Sequence, residues 1–318
     1  MTRPGCTGSL KPVSGLRMTT VLVALFSKIN FWNAPDWFMK ELAALGPDIK
    51  VTASSGKKDF IEKIKTADTL LCWKADYEEL KDSNIKKIVF CQAGIPDGFE
   101  NRSQRFEVIT FPGMNAESVS EWAVALAFAL FKGLHFLIRS RKELWKTKEN
   151  MIPDMLRGKS ALVLGLGHVG KKTAQKLSCL GMSVNATARR GEKPEYVEKL
   201  FSPEKLYEAL PEADLVISAL PLNPSTRHSL GEAEFAAMKK GAYFINISRG
   251  DVVVEKALIS AIRSGRLRGA ALDVFQREPL DPGSELFGIE NLILTPHMAG
   301  SYDAYWSDLL IFLERILN

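Results

Sequence analysis

Apolar, β-rich runs alternate with helical patterns almost from one end of the chain to the other. That alternation predicts parallel sheets covered by helices on both faces. In the first third, VLVALF (21–26), TLLCW (69–73) and KIVFC (87–91) read as strands, with helices over 36–45 and 58–65 between them. Pro112-Gly113 then breaks the pattern, and Ser118 followed by Glu121 has the spacing of a capping box. The helix it would open is apolar around nearly its whole circumference, so it has to be buried in a core or against another subunit. A second alternating series runs through ALVLG (161–165), SVNAT (183–187), DLVISAL (214–220), YFINIS (243–248), AALDVF (270–275) and LILTP (292–296). Six strands with helices between them match a complete dinucleotide-binding unit. A closing helix over 304–317 is expected to return to the first domain.

Length and composition narrow the class. At 318 residues, with 46% hydrophobic and 25% charged positions, the chain suits two globular domains. The net charge is +5 and the pI about 8.9. No Lys/Arg-rich run accompanies that excess, which argues against nucleic acid as a partner, whereas a small anionic ligand would be attracted. Cys6, Cys72, Cys91 and Cys179 lack metal-ligand spacing and read as reduced thiols of a cytoplasmic protein. The longest apolar run, 122–131, is far short of the roughly 20 residues a membrane span needs, so no membrane role is expected. Residues 1–17 hold no acid and no apolar block, which excludes a secretory signal. They read as a disordered leader, tag or upstream start, with Met18 opening the folded part.

Gly165, Gly167 and Gly170 form GxGxxG directly after one expected strand and before a helix. In that setting the first glycine permits a tight turn, the second lets the backbone approach a pyrophosphate, and the third lets the helix pack close to the sheet. His168 and Val169 lie within the loop and line it. Gly181 is placed to stop the helix. A turn in a domain that has lost its ligand is the alternative. About 20 residues beyond the loop, an NAD-specific site carries Asp or Glu for the ribose 2′-OH; here the sequence is Ala188-Arg189-Arg190. Two arginines without an acid suit a 2′-phosphate, so NADP is the expected cofactor, NADPH being preferred and NAD the alternative.

Ligands of open α/β sheets sit beyond the carboxyl ends of the strands. Polar residues at those ends are Arg249 in Ser-Arg-Gly, Asp273, Glu278 before Pro279, and His297 before Met298-Ala299-Gly300. Reduction of a keto acid needs a cation that orients the substrate carboxylate, which Arg does bidentately, and a proton donor to the carbonyl oxygen, usually His. A neighbouring carboxylate favours the imidazolium form. Each residue also has a plainer reading: Arg249 as a helix cap or surface ion pair, Glu278 as a loop acid. His135, in the apolar helix, reads as a core residue. No metal-ligand spacing occurs, and Ser248 lacks the G-x-S-x-G context of a hydrolase.

The blocks VLGLGHVG, ALPLNPSTRHSL, AAMKKGAYFINISRGDVVVEKAL, AALDVF, REPL and LTPHMAG together resemble the D-isomer-specific 2-hydroxyacid dehydrogenases. The resemblance covers the chain from about residue 21 and is densest over 165–297. It implies catalytic positions at Arg249, Glu278 and His297, and a nicotinamide contact at Asp273. It implies a Rossmann coenzyme-binding domain (116–298) inserted in a flavodoxin-like substrate domain (18–115 plus 299–318), and a homodimer joined through the coenzyme domains. It also implies substrate binding by backbone at Ala93, Gly94 and Ile95, although Pro96 removes a donor there. The expected activity is interconversion of a small 2-keto acid, such as glyoxylate or hydroxypyruvate, and its D-2-hydroxy acid. A larger hydroxy acid is one alternative. A non-catalytic NAD(P)-sensing binding protein of corepressor type is another.

Overall fold

The computed structural model describes residues 18–27, 29–92, 94, 99, 105–139, 145–146, 149 and 152–317; the expected leader over 1–17 lies outside them. The chain divides into two compact units, residues 1–114 with 303–318, and residues 115–302.

The first unit holds strands β1 (Thr19–Ala24), β2 (Ile49–Ala53), β3 (Thr69–Cys72), β4 (Lys87–Phe90) and β5 (Glu107–Thr110). All are parallel, in the order β2-β1-β3-β4-β5, the flavodoxin-like winding. The inner strands are apolar on both faces because helices cover both; every residue of β3 is buried. β2 and β5, which no sequence pattern announced, are the edges, where half-exposed polar residues interrupt the apolar run. The helix Tyr305–Leu317 returns to this unit, and its Trp306 ring stacks edge-on at 5.1 Å against Phe38 of the helix Asp36–Ala44.

The second unit is a seven-stranded parallel sheet of β6 (Ser160–Leu164), β7 (Ser183–Thr187), β8 (Leu200–Phe201), β9 (Leu215–Ser218), β10 (Ala242–Asn246), β11 (Leu267–Leu272) and β12 (Leu292–Leu294). The order β12-β11-β10-β9-β6-β7-β8 reverses direction between β6 and β9, the switch point of a Rossmann domain. The seventh strand, β8, has only two residues, too few to leave a pattern in sequence. Successive residues of β6 feed opposite cores: Leu162 and Leu164 pack on one face, Ala161 and Val163 on the other.

The long helix spans Ala116–Lys132 and ends on Gly133, whose φ of 64° supplies the left-handed stop. Its start corrects the capping-box expectation. Asn115 is the N-cap, without a side-chain hydrogen bond, and Ser118 already lies inside the first turn. The Ser118 hydroxyl instead donates to the Ala299 carbonyl at 2.7 Å. Much of the helix's apolar circumference is also accounted for within the unit. Val119, Ala123, Leu126, Ala127, Leu130 and Phe131 are buried in the core facing Ala161 and Val163. Among the described residues no helix is long and apolar enough to cross a membrane.

Candidate active site

The glycine loop leaves β6 as its spacing requires. Gly165 has φ +92°, and a side chain there would press on the Ala219 carbonyl at 3.0 Å. A Cβ on Gly170 would stand 1.8 Å from the Gly165 carbonyl oxygen, so only glycine lets the helix His168–Cys179 begin this close to the loop. Beside Gly167, by contrast, a Cβ would meet nothing within 4 Å. This residue is the helix N-cap and offers no side chain to the first-turn amides. Exposed His168 and half-buried Val169 follow it. An uncapped helix N-terminus beside open space is a fit for a pyrophosphate. At the end of β7, Arg189 and Arg190 are exposed and make no ion pair among the described residues, Glu192 included.

Three neighbouring strands deliver the catalytic candidates. β10 leads through Ile247 and Ser248 to Arg249. Fully buried Asn246 fixes that turn: its Nδ2 donates to the Arg249 carbonyl at 3.1 Å, and its Oδ1 accepts from the Ser248 amide and hydroxyl. Arg249 is exposed, donates from Nη1 to the Ser248 carbonyl at 2.8 Å, and has no carboxylate partner among the described residues. Its cation is therefore available. Gly250 is obligatory for a reason that its sequence does not reveal. A Cβ there would sit 1.9 Å from the carbonyl carbon of Phe275, in the loop that carries Glu278.

Glu278 accepts from the Phe275 amide on one oxygen (3.0 Å) and contacts His297 Nδ1 with the other at 2.6 Å. Burial alone would push its carboxyl up. The hydrogen bonds from His297 and Phe275, with the charges of His297 and Arg249, outweigh burial and hold it below the usual carboxylate range. Glu278 is thus an anion that orients the ring through Nδ1, and Nε2 has no hydrogen-bond partner among the described residues and can face a substrate.

His297 follows β12 at φ +50°, a left-handed conformation that costs energy for any residue but glycine. Asp273, expected at the nicotinamide, serves in this structure as the anchor of that loop. It lies just past β11 rather than within it and is 1% exposed. Its Oδ1 accepts from Thr295 Oγ1 (2.6 Å) and the Met298 amide (3.1 Å), and its Oδ2 from the Ala299 amide (2.9 Å). Burial pushes its carboxyl above the aspartate range, with these donors opposing the shift.

The structure therefore brings together Arg249, Glu278 and His297 at adjoining strand ends, with Asp273 beneath. Sequence reasoning missed Asn246, Gly250 and Thr295; only the glycine after Arg249 offered a signal. His135 lies apart on the helix Leu134–Arg139, its ring against Phe136 at 4.0 Å. Of the expected substrate loop, Ala93 and Ile95 are outside the described residues, and Gly94 forms a bend. Among the described residues no group of three or more His, Cys, Asp or Glu could hold a metal.

Comparison with known proteins agrees with this geometry. Residues 124–299 match the family described as D-isomer specific 2-hydroxyacid dehydrogenase, NAD binding domain. A glyoxylate reductase of Aeropyrum pernix is 33% identical over 261 residues, 76% of each chain. A D-isomer specific 2-hydroxyacid dehydrogenase family protein from Aeromonas salmonicida superposes with a TM-score of 0.80 at 25% identity, covering 94% of this chain and 95% of that one. A D-isomer specific 2-hydroxyacid dehydrogenase from Xanthobacter autotrophicus, solved with NADPH and MES, gives 0.75 at 26% identity, with 95% and 94% covered. With its Rossmann sheet, its glycine loop and its Arg–Glu–His constellation, this chain belongs to the D-isomer specific 2-hydroxyacid dehydrogenase family.

Proposed function

We propose that the protein reduces a small 2-keto acid, of the glyoxylate or hydroxypyruvate kind, to the D-2-hydroxy acid with NADPH as preferred donor. The observation that carries this reading is the His297–Glu278 pair at 2.6 Å, one strand away from the end that bears Arg249, whose guanidinium forms no salt bridge among the described residues. The glycine loop over 165–170 would hold the nicotinamide cofactor, which would supply the hydride. Arg249 binds the substrate carboxylate through its planar fork and so orients the adjacent carbonyl. As charge builds on the carbonyl oxygen, His297 delivers a proton from Nε2, and Glu278 stabilises the imidazolium before transfer. In the reverse direction neutral His297 takes the hydroxyl proton.

Arg249→Lys tests the reading. The charge survives but the fork does not, so the substitution should raise KM for the keto acid and lower kcat together. Steady-state turnover of glyoxylate and hydroxypyruvate with NADPH measures both. Unchanged kinetics would leave Arg249 a structural residue, and absent turnover by the unmutated protein on a panel of 2-keto acids would favour the binding-protein alternative.

The protein acts as a homodimer through the second unit. Supporting this, Leu134, Ile138, Trp145, Ile152 and Met155 are exposed just beyond the long helix, on 134–155. Exposed apolar side chains concentrated on one segment mark a contact surface, and closed two-fold pairing is the usual way to cover one. Light scattering at micromolar concentration should give about twice the 35.3 kDa chain mass; a monomer would refute the dimer.

A further inference from the structure

We propose that Trp122, with Ser118 one helical turn before it, is a positioning residue for His297, an inference that rests on the reading of His297 as the proton donor. Three observations combine. First, His297 sits at the crest of a tight loop with φ +50°, and its amide turns back onto the Thr295 carbonyl at 3.0 Å. A left-handed histidine persists only where its surroundings over-determine it. Second, both feet of that loop are tied to buried Asp273, through the Thr295 hydroxyl on one side and the Met298 and Ala299 amides on the other.

Third, the long helix Ala116–Lys132 grips the same two feet from outside. Trp122 Nε1 donates to Thr295 Oγ1 at 3.2 Å, and Ser118 Oγ donates to the Ala299 carbonyl at 2.7 Å. Residues four apart on a helix share one face, so a single rigid element reaches both ends of the loop. The Trp122 bond also decides what Thr295 does. The hydroxyl has one proton, and by accepting from the indole it is set to give that proton to Asp273. Removing the indole donor frees the hydroxyl to rotate and loosens one foot of the loop. The cost falls on the direction of His297 Nε2, because Nδ1 is held separately by Glu278.

The test uses the full chain. Trp122→Phe keeps an aromatic ring and deletes the donor; Ser118→Ala deletes the other one. Each should lower kcat for keto-acid reduction about 3- to 10-fold, the factor expected for one neutral hydrogen bond. KM for the keto acid and Kd for NADPH, read by fluorescence quenching, should stay within about twofold. Made in a His297→Ala background, the same substitutions should cause no further loss, because their effect passes through the imidazole. Losses that multiply with that of His297→Ala would show a merely structural role and overturn the proposal. So would wild-type kcat in both single variants while His297→Ala is slow. If Trp122→Phe fails to fold, the Ser118→Ala pair decides alone. Wild-type turnover by His297→Ala would instead overturn the proton-donor reading, and this proposal with it.

Discussion

His297→Ala should reduce keto-acid turnover by at least about 10²-fold, the range for loss of a general acid. The structure makes the expectation specific to one nitrogen. Nδ1 is spent on Glu278, and that carboxylate, although partly buried, is held below the usual range by the hydrogen bonds it accepts. Glu278 therefore stays ionised throughout the neutral and mildly acidic range, where it keeps its hold on Nδ1. Its depressed value sets the sign of one pH effect, and the proton that the reaction consumes sets that of a second. The stability that Glu278 lends is present above the ordinary glutamate range and is lost as pH falls through its folded value. Reduction should weaken as pH rises, because it consumes imidazolium, while oxidation of the hydroxy acid should strengthen, because it needs the neutral ring as base. Opposite pH trends of kcat/KM in the two directions would be the signature, and both should vanish in His297→Ala. Wild-type-like turnover in that variant would remove His297 from the mechanism.

The second large effect is cofactor choice. Thr187 ends β7 with its hydroxyl accepting from the Gly165 amide, so the residues that follow lie beside the glycine loop. An acid at Ala188 would repel a 2′-phosphate; alanine does not. Arg189 and Arg190 come next, exposed and without an internal ion pair among the described residues. Charge-assisted hydrogen bonds are worth roughly 1.5–3 kcal/mol each. One or two of them should favour NADPH over NADH by about 10- to 10³-fold in kcat/KM, at 1.4 kcal/mol per decade. Arg189→Ala should erode NADPH use and leave NADH use nearly intact. Equal kcat/KM for the two cofactors, or a preference for NADH, would defeat the expectation.

Several features were legible in sequence because their cause is local. The strand SVNAT (183–187) emerges with its expected ends, and the inner strands of both sheets differ by only a few residues at their ends. Buried parallel strands are continuous apolar runs, and nothing distant is needed to recognise them. GxGxxG was legible for a related reason: the positive φ at Gly165 and the clash that a Gly170 side chain would make with the Gly165 carbonyl are set within one short loop. The edge strands β2 and β5, and the two-residue β8, were not legible, since half-exposed or very short strands lack the pattern.

Ser118 shows where local reading fails. Serine three residues before glutamate is a sound start signal, yet the helix begins three residues earlier than a Ser118 cap would start it. The hydroxyl is claimed by the carbonyl of Ala299, 181 residues along the chain. The burial of the long helix followed the same logic: its apolarity implied a partner, but only the fold showed that much of that partner is the unit's own core.

The candidate constellation divides in the same way. By itself the sequence determined which residue types stand at the strand ends, because strand runs and the turns after them are written in consecutive residues. The identities of Arg249, Glu278 and His297 were therefore available from the chain alone. Only the tertiary structure decided that Glu278 meets Nδ1 rather than Nε2, that Asp273 is enclosed under the histidine loop, and that Gly250 must lack a side chain. Those outcomes depend on distances between segments far apart in sequence, which close packing sets to within an ångström and no local pattern encodes.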